Sequence, residues 1–271
     1  MHPHPARVHV RMMTVMIRSW LVALLALTAV AHAADIGISP SRLELRARPG
    51  DTVSTVVTVL KTSGSDQQVA TEIDDWTLDV SGEIAFREAG SLEYSASPWL
   101  AVDVPEFVLA SGSTQQEVRV EVTVPADASL AGTYHSVLFF TVVAAPEDTG
   151  PVGVTTTTRV GLIVYVTIED TEQVELELAD FYDVDETTLA LVVANVGNTM
   201  VRVGGVVELR NEEGDLVRSL PLPQVPVMRD TEREVRLPLP DDLEPGFYVA
   251  LALVDDGRGD LLVGELLLDL P

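Results

Sequence analysis

The sequence predicts an all-β chain built of two immunoglobulin-like β-sandwich domains in tandem. Three observations carry this. Strand-like apolar runs recur about every 8–12 residues, separated by Gly, Asp, Ser and Pro. Helix signals are almost absent. One stretch, "VGVTTTTRVGLIVYVTI" at 152–168, keeps an apolar residue or Thr at every even position over its whole length. Alternate side chains of a strand point to opposite faces. That stretch is therefore a long strand with one greasy face.

The first 33 residues read as a secretory signal peptide. Arg7, Arg11 and Arg18 make a positive start without an acid, "WLVALLALTAVA" is a short apolar run, and "AHA" is a small-x-small cleavage site before Ala34. Met13 or Met16 is an alternative start. The apolar run is short for a membrane span. Cleavage after Ala33 implies an exported protein in the periplasm, outside the cell or on its surface. It leaves 238 residues, the length of two domains with separate cores. The sequence has no Cys. Stability in an oxidising compartment then rests on packing rather than on disulfides.

The N-terminal domain is read over 34–170. Its strands are expected at 36–46, 52–60, 68–75, 83–86, 100–102, 115–124, 134–143 and 154–168. Breakers such as Pro49-Gly50, "TSGSD", "ASGS" and "PADASLAG" lie between them. Val118, Val120, Val122 and Val124 alternate with Arg, Glu and Thr, the pattern of a sheet with one packed and one wet face. "IEDTEQ" is a polar joint. The C-terminal domain follows over 171–271, with strands at 174–182, 188–195, 201–210, 216–220, 233–239, 246–254 and 261–270. Turns are expected at "NVGN", "NEEGD", "LPLPQVP" and "DDGRGD". Seven strands in about 100 residues is the size of an immunoglobulin-like domain.

Charge and composition exclude several functions. After cleavage the chain holds 42 acidic and 14 basic residues, a net charge of −28, which disfavours nucleic acid. Lys61 is the only lysine. One histidine remains, His135, inside "TYHSVLFFTV". One His and no Cys exclude the usual nitrogen and sulfur metal sites, and no cofactor is implied. No nucleophile elbow, P-loop or dinucleotide fingerprint occurs. The acid pairs Asp74-Asp75, Asp241-Asp242 and Asp255-Asp256 are placed at strand ends or turns, close to solvent. They act as acid and base only if burial separates their pKa values. Tyr94, Trp99 and Phe107 could form a ligand platform, but Trp99 and Phe107 read rather as core or domain-edge packing around the "SPWL" bend. The reading is a non-enzymatic binding protein.

"ISPSRLEL" at 38–45, the order of apolar strands, "VPADASLAGTYHSVLFFTVV" and the long last strand of the first domain resemble the periplasmic pilus-assembly chaperones of the PapD type. "ANVGNTMVRVGGVVEL" and "LVDDGRGDLLVGELLL" resemble strands of that family's second domain. The resemblance implies a partner: an exported pilin-like or surface-protein subunit that lacks a strand, captured when the chaperone lends its long strand. Val154, Val160, Leu162, Val164 and Val166 are the residues implied to be lent. The family holds the subunit's C-terminal carboxylate with an Arg of the first strand, matched by Arg42, and a Lys of the long strand. Gly161 stands at that second position. Arg159, two residues away on the same face, is the implied substitute.

"SASPWLAVDVPEFVLASGSTQQEVRVEVTVPADASLAGTYHSVLFF" also resembles the first domain of the WxL-interacting cell-surface proteins, and "LEPGFY" part of their second. That resemblance implies an alternative: a cell-envelope structural or adhesion module that binds peptidoglycan or a surface-protein partner.

Overall fold

The computed structural model describes residues 36–62, 66–143 and 157–271. The segment expected as a signal peptide, 1–33, and Val154 lie outside the described residues. Apart from one 3-10 turn at Ser97–Trp99, the regular structure among the described residues is all strand. No described helix is long and apolar enough to cross a membrane.

The opening stretch 36–46, expected as one strand, is two. Strand β1 (Ile36–Ser39) ends at a cis Ser39-Pro40 bond, and β2 (Arg42–Ala47) starts beyond it in the opposite sheet. Proline has no N–H to continue a ladder, so the break falls where the chain changes sheets. One sheet runs β1, β3 (Thr52–Lys61), β8 (Gln115–Thr123), β6 (Leu100–Val102). The other runs β2, β10 (Arg159–Ile168), β9 (Thr133–Val143), β4 (Gln67–Leu78), β5 (Ile84–Arg87). A short strand missed in the sequence, β7 (Glu106–Leu109), also pairs with β4. The β2–β10 pair is parallel and the other strand pairs are antiparallel. Val57, Val59, Val118, Val120 and Val122 on one sheet pack against Leu138, Phe140, Leu162, Val164 and Val166 on the other, all at 0 % exposure.

The second sandwich pairs a sheet of β11 (Leu176–Asp185), β12 (Thr188–Asn195) and β15 (Thr231–Pro238) with a sheet ordered β14 (Leu216–Val227), β13 (Val201–Arg210), β16 (Gly246–Asp255), β17 (Leu261–Leu270). Leu189, Leu191, Leu209, Ala250 and Ala252 fill its centre. Strand β14 runs through "LPLPQVP", expected as a turn. It tolerates Pro221, Pro223 and Pro226 because it is an edge strand. No strand before Ile168 pairs with one after Leu176.

The two sandwiches are locked together by side chains and backbone. Met228 and Met200 pack on Trp76, Val137, Phe139 and Tyr165. Thr133 N–H donates to Asn198 C=O (2.9 Å) and Glu234 N–H to Val80 C=O (2.7 Å). Gly132 has φ +75°, and a Cβ there would fall 1.9 Å from the Asn198 carbonyl oxygen, so only glycine fits this joint.

Candidate functional site

The candidate site is the outer face and free edge of β10 at its N-terminal end. Thr158 C=O accepts from Val142 N–H on β9, and Ile163 N–H donates to Ser41 C=O on the β2 side. Even-numbered residues of β10 therefore bond to β9, and odd-numbered ones point their backbone the other way. Pairing with β2 covers Ile163 to Ile168. Among the described residues nothing pairs with β10 on that side before Ile163. Arg159 and Gly161 thus turn their N–H and C=O groups to an open edge.

Side-chain directions correct one part of the sequence reading. The even residues face the chain's own core. Leu162, Val164 and Val166 are fully buried there, and Val160 packs against the same cluster. Val164 and Val166 also have strand partners from this chain on both sides. None of these side chains is free to fill a guest's groove. The physical reason is that a sandwich core imposes the same two-residue period as a lent strand.

The odd residues build the outer face. Gly161 lies opposite Phe139 in a pair that is not hydrogen-bonded, where the backbones approach most closely. A Cβ at Gly161 would stand 3.0 Å from the Phe139 ring, so the glycine makes room for that ring. The Arg159 guanidinium stacks on the ring at 3.5 Å, and Phe86 meets its edge at 4.9 Å. Arg159 is also held by Glu72 (2.6 Å) and Asp74 (2.8 Å) of β4.

Arg42, opposite Ile163 at the head of β2, is half exposed and pairs with Glu44 at 2.7 Å. Glu44 is shared with Arg202 of the second sandwich at 2.8 Å. The implied carboxylate anchors Arg42 and Arg159 are thus on one face, each with an acidic partner from its own chain. A guest carboxylate must displace Glu44, or Glu72 and Asp74, to reach them.

Sequence reasoning missed Glu44, Glu72, Phe139 and Arg202. Their only signal is cross-strand register, which a single strand's pattern does not carry. It misplaced Asp74-Asp75 too. The two sit mid-strand in β4 and point opposite ways, Asp74 outward to Arg159 and Asp75 inward at 0 % exposure. Ser95, Ser97 and the Leu92 N–H all donate to the Asp75 carboxylate. Trp99 is buried and tilts on Tyr134 at 4.5 Å, while Arg229 caps Tyr94 at 3.5 Å. That is packing, as expected.

His135 lies under this face, at 7 % exposure. Its Nε2–H donates to the Trp76 carbonyl oxygen (2.9 Å), and buried Nδ1 has no partner among the described residues. Burial, the main influence, pushes its pKa below the ordinary 6.5, with the Trp76 carbonyl and Asp75 opposing. A base depressed on folding binds fewer protons folded than unfolded below pH 6.5. Stability is then complete above that pH and falls as the pH drops through it. Thermal unfolding across pH 5–8 checks this: the wild-type Tm declines on the acid side, and His135→Gln gives a flatter profile.

No family model matches the sequence, and no curated protein does. Solved structures do share its fold. A chain of the structure described as "Chaperone-tip adhesin complex is vital for synergistic activation of CFA/I fimbriae biogenesis" superposes with a TM-score of 0.51 at 12 % identity. The match covers 86 % of this chain and 98 % of that one. The E. coli chaperone DraB gives 0.45 at 14 % identity over 88 % and 97 %. The Pseudomonas aeruginosa CupB2 chaperone gives 0.45 at 14 % over 84 % and 98 %. The first of these shows that the two tandem sandwiches share the fold of a chain of that chaperone–tip adhesin complex.

Proposed function

We propose that this chain is an exported, non-enzymatic chaperone-like protein that captures a pilin-like or other surface subunit by strand pairing along the open edge of β10. The observation that carries the reading is the Arg159 and Gly161 backbone, without a strand partner on the β2 side among the described residues and beside Arg42, on a fold shared with a chain from a chaperone–tip adhesin complex. An edge strand offers unsatisfied N–H and C=O groups, and a guest strand that adopts the same spacing satisfies them. The guest continues the sheet where β2 stops. The pairing extends from Leu162 back through Arg159 toward Val154, rather than forward through the sealed Val164–Ile168 stretch. The three arginines and three carboxylates of the outer face balance in charge. A guest therefore gains affinity from backbone pairing and exchanges ion-pair partners, without filling a vacant cationic pocket.

Two variants of one residue test this. Gly161→Ala and Gly161→Pro introduce the same Cβ against Phe139, but only proline deletes the N–H facing the edge. Subunit capture, read by co-purification of exported proteins from the native host, falls with Gly161→Pro and persists with Gly161→Ala. Equal capture by the two rules out strand pairing at this edge. Amide exchange on the free protein gives a second reading. The Arg159 and Gly161 amides exchange fast, Leu162 and Ile163 slowly, and the first pair becomes protected when a subunit binds.

A further inference from the structure

Among the described residues, the second sandwich leaves one edge without a hydrogen-bonded strand and one face uncovered, and they adjoin. Its four-stranded sheet has two edges. Prolines at 221, 223 and 226 blunt the β14 edge, a common defence against unwanted pairing. The β17 edge has neither proline nor any basic residue. Even-numbered residues of β17 point into the sandwich, where Leu268 is buried and Leu266 packs on the core. The odd ones point out. Leu261 is 57 % exposed, Val263 60 % and Leu267 75 %. Behind them on β16 stand Leu253, opposite Val263, and Phe247, itself 60 % exposed. The outcome is an apolar ridge along an open strand about 33 Å long. Glu265 and Asp269 interrupt that ridge, and neither has an ion-pair partner among the described residues. Asp255, Asp256 and Asp260 border one end.

We infer that β17 is a second docking strand, separate from the β10 edge, and that it takes an extended basic segment of a partner protein. Register fixes the pattern. Read antiparallel to β17, the guest presents at every second position Lys or Arg (to Asp269), apolar (to Leu267), Lys or Arg (to Glu265), then two apolar residues (to Val263 and Leu261). Cross-strand pairs of opposite charge and of apolar side chains both stabilise such a ladder. A second copy of this chain fits poorly. Antiparallel self-pairing centred on Glu265 sets that carboxylate against its own copy, and the two chains share a large negative charge.

The probe is the synthetic peptide Lys-Thr-Val-Thr-Lys-Thr-Val-Thr-Val, labelled for fluorescence anisotropy and titrated into the full chain at low and high salt. Its counterpart carries Glu for both Lys. The lysine peptide binds, slows amide exchange within Leu261–Leu270 and weakens as salt rises. Glu265→Gln with Asp269→Asn, both solvent-facing changes, lowers its affinity about tenfold at low salt. The surface change Leu267→Glu abolishes binding while circular dichroism stays native. The inference is overturned if the two peptides bind alike, if neither binds, or if Leu267→Glu binds like wild type. It is also overturned if light scattering finds a dimer that Leu267→Glu dissociates, because the face then belongs to a second copy. None of these outcomes touches the β10 edge, whose test is the Gly161 pair.

Discussion

Leu162→Asp unfolds the first sandwich and leaves the second folded. Leu162 has no exposed surface, and its side chain sits among the valines of both sheets. Truncating such a leucine costs about 2–5 kcal/mol in lost burial and cavity. A carboxylate adds desolvation without a partner, worth several kcal/mol more unless it takes up a proton. A total above about 5 kcal/mol approaches the whole stability of a domain. Differential scanning calorimetry of the full chain separates the outcomes. The expected trace keeps one transition for the second sandwich and loses that of the first, and capture is lost because the site is gone. A variant with both transitions intact but no capture would return Leu162 to the role of a lent residue, and would overturn the inward orientation of the even positions.

The same residues show what the sequence could reveal. Strand periodicity located nearly every element, because apolar alternation is a local property that folding preserves. Leu100–Val102, Thr188–Asn195, Val201–Arg210 and Leu261–Leu270 are found where the pattern put them. Periodicity does not say what lies on the greasy side. For β10 it is the chain's own other sheet, so the strand's length, which suggested lending, reflects two-sided enclosure from Ile163 onward. The proline rule misled at "LPLPQVP", because a strand with a free side accommodates residues that a central one does not. It went unused at Pro40, where the stretch expected as one strand breaks and the chain crosses between sheets. The Arg159–Phe139–Asp74 cluster was out of reach. It joins three strands, and nothing within one strand records which neighbour it faces.

Arg42 and Arg159 illustrate a difference between position and availability. Both stand on one face near the open edge. Both are already engaged, one by Glu44 and the other by Glu72, Asp74 and a ring. Exposed ion pairs contribute about 0–1 kcal/mol each. They are therefore exchangeable, and under the proposed strand pairing a guest carboxylate would swap partners at little net gain. Under that proposal selectivity at this face would come mainly from the backbone edge and from Phe139, whose ring is presented by Gly161. This is why the alanine and proline variants of that glycine are more informative than removal of either arginine.

Asp75→Ala loosens the segment that shapes the underside of the same face. The Asp75 carboxylate has no exposed surface. It accepts from Ser95 Oγ (2.6 Å), Ser97 Oγ and the Leu92 N–H (3.0 Å), tying the loop before the Ser97–Trp99 turn to the middle of β4. Alanine leaves Ser95 Oγ and the Leu92 N–H without this acceptor, while Ser97 Oγ keeps the Asp74 carbonyl at 3.2 Å. At about 1–3 kcal/mol for an abandoned buried group, and more where the bond was to a charge, the loss comes to about 3–5 kcal/mol. Asp75→Asn keeps an acceptor oxygen but adds two donors that face donors already there, so it recovers only part of that loss. Denaturant melts of the three proteins give the order wild type, Asn, Ala. Amide exchange locates the damage at Leu92 and at Ala96, whose N–H donates to the His135 carbonyl. If alanine matched wild type, water would have to enter the site and replace the carboxylate.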